Sequence, residues 1–247
     1  MTKTPYDGTA VTKKRGRPRS TPSQGDAHRT AILQAAARLF REQGYEKVSM
    51  TAVARELGMD QSSLYYWFKS KAQMLDEILV AEFNACGFKG MLFHAEGASC
   101  AQRLFALVYR RTAKFCALPV DVFDAECVAD CNPELLQQFF GELSEYINGL
   151  RGLIAEGQEC GEFAAMGVDE ALLVALSAIM SQQHLFHRMQ AGSALAVEFA
   201  SGHAAGDAAT WALRTARSVT AALLAEASGL QEAEEGARSC GWVGTDV

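Results

Sequence analysis

No stretch of the 247 residues approaches the roughly 20 uninterrupted apolar residues that a membrane helix requires. The start lacks the basic-then-apolar pattern of a secretory signal, so cytoplasm is the expected compartment. The seven cysteines are odd in number and scattered, with no close CxxC pair, which argues against a secreted disulfide scaffold. Cys127 and Cys131 stand four apart among Asp124, Glu126 and Asp130. Without fixed histidine partners they make a poor zinc signature, and neighbouring acids disfavour reactive thiolates. There is no Ser/His/Asp set, phosphate-cradling glycine loop, Cys/His nucleophile pair or complete metal site. Neither catalysis, a metal nor a cofactor is expected.

What the chain does have is a division of charge. Residues 1–70 hold 12 Lys and Arg against 6 Asp and Glu, while the remainder holds 11 against 23. An overall net charge of −6 therefore conceals a basic N-terminal part, the electrostatic footprint of a duplex-binding module. The most basic segment, Lys13-Lys14-Arg15-Gly16-Arg17-Pro18-Arg19, has almost no apolar content and reads as an arm disordered when free. Arg15-Gly16-Arg17-Pro18 resembles an AT-hook core, in which Arg15 and Arg17 would lie along a narrow A·T-rich minor groove. The other reading is a solvated tail that touches phosphates without selection.

Residues 49–71 read as a helix-turn-helix. Ser49 caps a first helix with Val53, Ala54 and Leu57 on one face, and Gly58 suits the left-handed stop after it. Asp60 is placed to cap a second helix carrying Leu64 and Phe68 inward. That leaves Gln61, Ser62 and Ser63 at the exposed end, with groups suited to base edges or phosphates. Upstream, Ile32, Ala35, Ala36, Leu39 and Phe40 form a supporting helix closed by Gly44. Downstream, Ser70 and Gln73 form a capping box, with Lys71 in the first turn.

This order resembles the TetR family of bacterial transcriptional regulators over about residues 27–80, carried by Gly44, Tyr45, Val53, Ala54, Gly58, Leu64, Tyr65, Phe68 and Lys71. Trp67 departs from it, standing where the family often has histidine. The resemblance implies an all-α chain, with an N-terminal three-helix DNA-binding domain and a C-terminal helical domain for ligand binding and dimerisation. The expected divisions are a basic arm over 1–25, a helix-turn-helix domain over 26–72, the effector and dimerisation domain over 73–230, and a flexible tail over 231–247. A homodimer would bind a near-palindromic DNA operator as a repressor and be released by a small-molecule effector. Gln61, Ser62 and Ser63 would read bases with help from Thr51, and Tyr65, Tyr66, Trp67 and Lys71 would hold phosphates.

Beyond residue 70 the pattern is helix after helix. Ser99 and Gln102 form a second capping box. Asn132-Pro133-Glu134 predicts a helix start, with the stripe Leu136, Phe139, Phe140, Leu143, Ile147, Leu150 and Ile154 behind it. Asp169 predicts another start, and a last helix runs over about 208–228. By the resemblance, 169–190 and 208–228 form a four-helix dimer interface, although the same stripes also suit a monomer's own core. Candidate effector contacts are Phe83, Leu107, Phe115, Phe123, Phe139, Leu143, Ile147, Met180 and His184, each of which also suits plain core. Two other classes stay open: an architectural protein that binds A·T-rich DNA through its arm, and, more remotely, an enzyme with an attached DNA-binding domain.

Overall fold

The computed structural model of the protein describes residues 22–84, 95–200 and 206–244. Among these residues the regular elements are helical, apart from one isolated antiparallel bridge between Phe163 and Leu224. The first helix, α1 (Pro22–Gln43), leads through a 3-10 turn (Tyr45–Lys47) into α2 (Met50–Glu56) and α3 (Gln61–Trp67). Ile32, Ala36, Leu39 and Phe40 of α1 are buried in the same cluster as Val53, Ala54, Leu64 and Phe68. The Ser49 hydroxyl accepts from Ala52 N at 3.1 Å, satisfying one of the orphan donors of α2. Gly58 takes φ 63 between α2 and α3, a left-handed conformation that a Cβ would penalise. Asp60 occupies the cap position of α3, but its side chain makes no capping hydrogen bond.

Helix α4 (Lys71–Asn84) packs on α1 and also on α7 (Gln137–Glu159). The expected boundary after residue 72 thus falls inside one helix shared by both halves. The Ser70 hydroxyl accepts from Gln73 N at 3.1 Å, while the Gln73 side chain accepts from Lys69 N rather than Ser70 N.

The C-terminal bundle is built around α5 (Cys100–Ala117), whose Ser99–Gln102 capping box forms as the sequence predicts. Helices α8 (Val168–Gln190), α10 (Ala208–Leu223) and α11 (Gly229–Ser239) pack on it with α7. The smaller α6 (Val122–Cys131) and α9 (Ala194–Ala200) pack against α8. No described helix is long and apolar enough to cross a membrane.

The structure departs from three sequence expectations. Asn132 does not start a helix: its amide donates to Val128 O at 2.9 Å and closes α6, and the chain turns over 133–136 before α7 begins at Gln137. Leu136 enters α7 with φ 62, a conformation costing about 1–2 kcal/mol for a residue with a Cβ. Burial of its side chain and its N–H bond to Asp76 Oδ1 of α4, at 3.0 Å, oppose that cost. Helix α8 starts at Val168 with Gly167 as its cap, while Asp169 sits in the first turn, paired with Arg151 at 2.9 Å. The segment expected as a flexible tail carries most of α11. Its acidic composition hides Ala233 and Ala237, which are buried four residues apart, while Glu234 pairs outward with Arg217 and Arg238.

Gly157, in α7, lies against the ring of Phe163. A Cβ there would lie 2.2 Å from the ring of Phe163, itself held by the backbone pairing of 162–164 with 223–225. Glycine to alanine inside a helix ordinarily gains up to about 1 kcal/mol. At this position Gly157→Ala should instead lose roughly 1–3 kcal/mol through overpacking. Urea unfolding should show a lower midpoint at unchanged slope, and the same change made in a Phe163→Ala background should turn favourable.

Candidate nucleic-acid interface

Helix α3 is seven residues long, or about 10 Å at the usual rise, short enough to lie across a major groove about 12 Å wide. It buries Leu64 and is followed by buried Phe68, leaving Gln61, Ser62, Ser63, Tyr65 and Tyr66 exposed. Tyr66 is 84% exposed, an unusual state for a large ring in a folded monomer. Thr51 is exposed in the first turn of α2. The same elements and their flanks carry the exposed cations Lys47, Arg55 and Lys69, which sequence reasoning did not single out.

Two residues expected at phosphates turn inward. Lys71 Nζ donates to Tyr45 O at 2.8 Å and to Glu46 O at 3.3 Å, and sits 4.1 Å from the centre of the Tyr45 ring. It fastens the 3-10 turn to the start of α4. Burial of Tyr45 against this arrangement pushes its phenol up to about 12. Trp67 is half-buried, its ring centre 5.3 Å from that of His28 and 5.4 Å from that of Tyr66, so it braces α3 against α1. Arg29 completes the brace. It pairs with Glu77 of α4, donates to Trp67 O at 3.3 Å and lies 4.4 Å from the centre of the Phe68 ring. The arm with Arg15 and Arg17 lies outside the described residues.

The candidate effector residues do not gather into one group. Leu107, Phe115 and Phe139 are fully buried in the main cluster, with Leu143 and Ile147 packed partly buried against it and Met180 half-buried on α8. The side chain of Phe83 lies outside the described residues. Phe123 and His184 do meet, just beyond the C-terminal end of α5. His184 Nδ1 is hydrogen-bonded to the buried Asp121 carboxylate, and its ring meets Phe123 edge-on at 5.5 Å. His187 Nε2 donates to Phe115 O at 3.1 Å, and burial is the main force holding its imidazole below the usual value. Two residues further along α5, Ala117 O accepts from Arg41 of α1 at 3.0 Å. The end of α5 thus touches the helix-turn-helix unit directly.

One turn below this contact the core turns polar. Arg111 is buried with its guanidinium 3.9 Å from the centre of the Tyr146 ring and 4.9 Å from that of Phe115. On α8, Gln183 is fully buried and neither polar atom of its side chain has a hydrogen-bond partner. Sequence reasoning missed both. Their one signal is a polar residue on an otherwise apolar stripe, Leu107 to Phe115 for Arg111 and Ile179 to His187 for Gln183.

His187 sets a pH prediction. The unfolded chain takes up a proton near pH ~6.5, whereas the folded chain resists protonation there. Folding stability should therefore fall as pH drops through that value and level off below the folded pKa. The facing groups act in both directions, Asp121 and Asp124 favouring the charged ring and Arg41 opposing it. In His187→Gln, thermal melts between pH 8 and 5 should lose part of this slope.

Residues 32–78 match the family model described as bacterial regulatory proteins, tetR family. Over 59 residues the chain is 41% identical to the HTH-type transcriptional repressor KstR2 of Mycolicibacterium smegmatis, covering 24% of this chain and 29% of that protein. The chain spans about three tenths of the length of the curated relatives it matches. Among solved structures, the TetR-family regulator PfmR of Thermus thermophilus is similar at a TM-score of 0.58 and 22% identity, over 76% of this chain and 96% of that one. A transcriptional regulator from Saccharomonospora viridis, solved in complex with choline, is similar at 0.57 and 19% identity, over 81% and 100%. At such identities the likeness is one of fold. With its helix-turn-helix matched in sequence and its helical frame matched in shape, the chain is similar to the tetR family of regulatory proteins over residues 32–78 and shares the fold of TetR-family regulators beyond them.

Proposed function

We propose that the chain is a TetR-family transcriptional regulator, a repressor that binds a near-palindromic operator as a homodimer and is released by a small-molecule effector held in its C-terminal helices. The observation that carries the reading is the face of α3, where Gln61, Ser62, Ser63 and Tyr66 stand exposed on a helix anchored by Leu64 and Phe68. Gln61 to Ser63 read base edges. Tyr65 and Tyr66 hold the backbone, joined by the exposed cations of the same unit. Trp67 and Lys71 position the helix instead of touching DNA.

The effector reading draws support from Gln183. A fully buried amide with no partner loses hydrogen bonds it would make in water, and a ligand group opposite it would restore them. An effector with an apolar or aromatic body and one polar handle suits this surrounding. Its coupling to DNA runs through the end of α5, where the Phe115–His187 and Ala117–Arg41 hydrogen bonds lie within one turn. A ligand that binds better when that end has shifted lowers operator affinity in proportion to its preference for that state.

The test is selection of bound sequences from a random duplex pool at physiological salt. The expected result is a two-fold motif with half-sites about one helical turn, or a multiple of it, apart. Enrichment of A·T-rich sequence without a dyad would transfer the DNA-binding role to the arm. On the selected operator, Gln61→Ala should cost about 1–3 kcal/mol on matched sites and less on a site altered at its base pair. Tyr66→Ala should weaken matched and altered sites alike.

A further inference from the structure

At the opposite end of α5, side chains from three elements meet. Cys100 opens the helix and is buried. Cys160 caps the C-terminus of α7 and is exposed. Glu162 follows in the turn toward α8. The two Sγ atoms and a Glu162 carboxylate oxygen all lie within 4.8 Å of one another. We propose that Cys100, Cys160 and Glu162 form a binding site for one thiophilic divalent cation of the zinc class, with two sulfur ligands, one oxygen ligand and a fourth position open to solvent.

The donor set and its framework both argue for a cation. In a tetrahedral site with metal–sulfur bonds of about 2.3 Å and a metal–oxygen bond of about 2.0–2.2 Å, the ligand atoms sit somewhat under 4 Å apart. A triangle with sides of at most 4.8 Å therefore needs to close by no more than about 1.3 Å. The carboxylate is already aimed. Glu162 accepts from Cys100 N at 3.2 Å and Ala101 N at 2.9 Å, and its own carbonyl accepts from Ala225 N at 3.0 Å. Its oxygens keep free lone pairs after these bonds, since each can accept more than once. Arg103 Nη2 donates to Cys100 Sγ at 3.0 Å and pairs with Glu156, one turn before Cys160 on α7. That contact fixes the direction of the Cys100 sulfur, as an outer partner that orients a metal ligand does. Two soft sulfurs beside one oxygen select zinc or cadmium over magnesium or calcium. Binding releases the two thiol protons to solvent and clips the start of α5 to the end of α7. The site lies some 15 residues along α5 from the Phe115–His187 contact, about 22 Å at helical rise, and stands apart from the proposed effector region.

The test uses the full chain, reduced and freed of metal, titrated with Cd(II) while the thiolate-to-cadmium absorption is followed. The expected result is one equivalent bound per chain, with a rise in melting temperature. Cys160→Ser, an exposed position whose change leaves the core alone, should weaken binding by more than the roughly 10–100-fold typical of losing an outer partner. Glu162→Gln should weaken it while leaving the two-sulfur absorption at saturation. Changing Cys127 and Cys131 together to serine should leave uptake intact. Stoichiometric uptake that survives Cys160→Ser, or that vanishes with Cys127 and Cys131, overturns the site. So does a reduced chain that takes up no Cd(II) while peroxide links Cys100 to Cys160, which would make the pair a redox device.

Discussion

Phe68→Ala should abolish operator binding and lower the melting temperature of the helix-turn-helix unit, although Phe68 lies just beyond the reading helix and touches no DNA in the proposed arrangement. The ring is fully buried and anchors the end of α3, where Phe68 N also donates to Leu64 O at 3.0 Å. Truncating a buried phenylalanine costs about 3–5 kcal/mol. Here the loss extends to Arg29, whose guanidinium lies over the ring while bound to Glu77 and to the Trp67 carbonyl. A stacked cation of this kind adds about 0.5–2 kcal/mol. Set against a folding free energy of about 5–15 kcal/mol, that loss is enough to melt a small three-helix unit. The melting temperature should fall by roughly 6 °C or more, taking 2–4 °C per kcal/mol for a chain of this size. Tyr66→Ala is the control. At 84% exposure it should leave the melt within about 0.5 kcal/mol of the parent while still weakening DNA binding. A Phe68→Ala protein that melts and binds like the parent would remove the buried anchor from this account.

The contrast between Phe68 and Tyr66 also marks what a sequence discloses. Leu64 and Phe68 repeat at helical spacing between recognisable stops, so their burial and the exposure of Gln61 to Ser63 were legible in advance. Ser49, Ser99 and Gly58 behave as their local chemistry demands, because a cap or a left-handed turn is settled within a few residues. Lys71 illustrates the opposite case. Its place in the first turn of α4 was clear, but its partners Tyr45 and Glu46 lie 25 or 26 residues earlier, so its inward direction is a tertiary fact. Asn132 failed for a similar reason. Its cap chemistry was real but served the helix before it, once Asp76 of α4 and the buried Leu136 had determined where α7 begins. Arg111 and Gln183 were invisible because one polar residue on an apolar stripe reads equally well as a surface position until the neighbouring helices are known. The Cys100–Cys160–Glu162 group brings together residues up to 62 apart, and no local spacing signals it.

The surface of α8 leaves apolar side chains exposed. Of the two helices expected at a dimer interface, α10 turns Ala212, Ala216, Val219 and Leu223 into its own monomer's core, packed chiefly on α5. Its exposed Arg217 is tied to Glu234 of α11. The small-residue stripe that favoured a close partner helix has found one within the chain. Helix α8 differs, because Leu173 is 66% exposed and Val174 42% exposed in its second turn. Adjacent apolar side chains left in water on a long helix suit a contact with a second copy, and a two-fold axis would set each pair against its equivalent. Leu173→Glu should therefore leave the monomer folded and divide the dimer, since a two-fold contact places the new carboxylates close together in a desolvated patch. Sedimentation at micromolar concentration should report a single chain with unchanged helicity. Loss of the linked second half-site should lower affinity for the full operator by about 10²–10⁴-fold, leaving contact with an isolated half-site unchanged. A Leu173→Glu protein that stays dimeric and binds the full operator like the parent would place the interface elsewhere. Monomeric protein with undiminished operator affinity would instead break the link between dimerisation and DNA reading on which the proposed function depends.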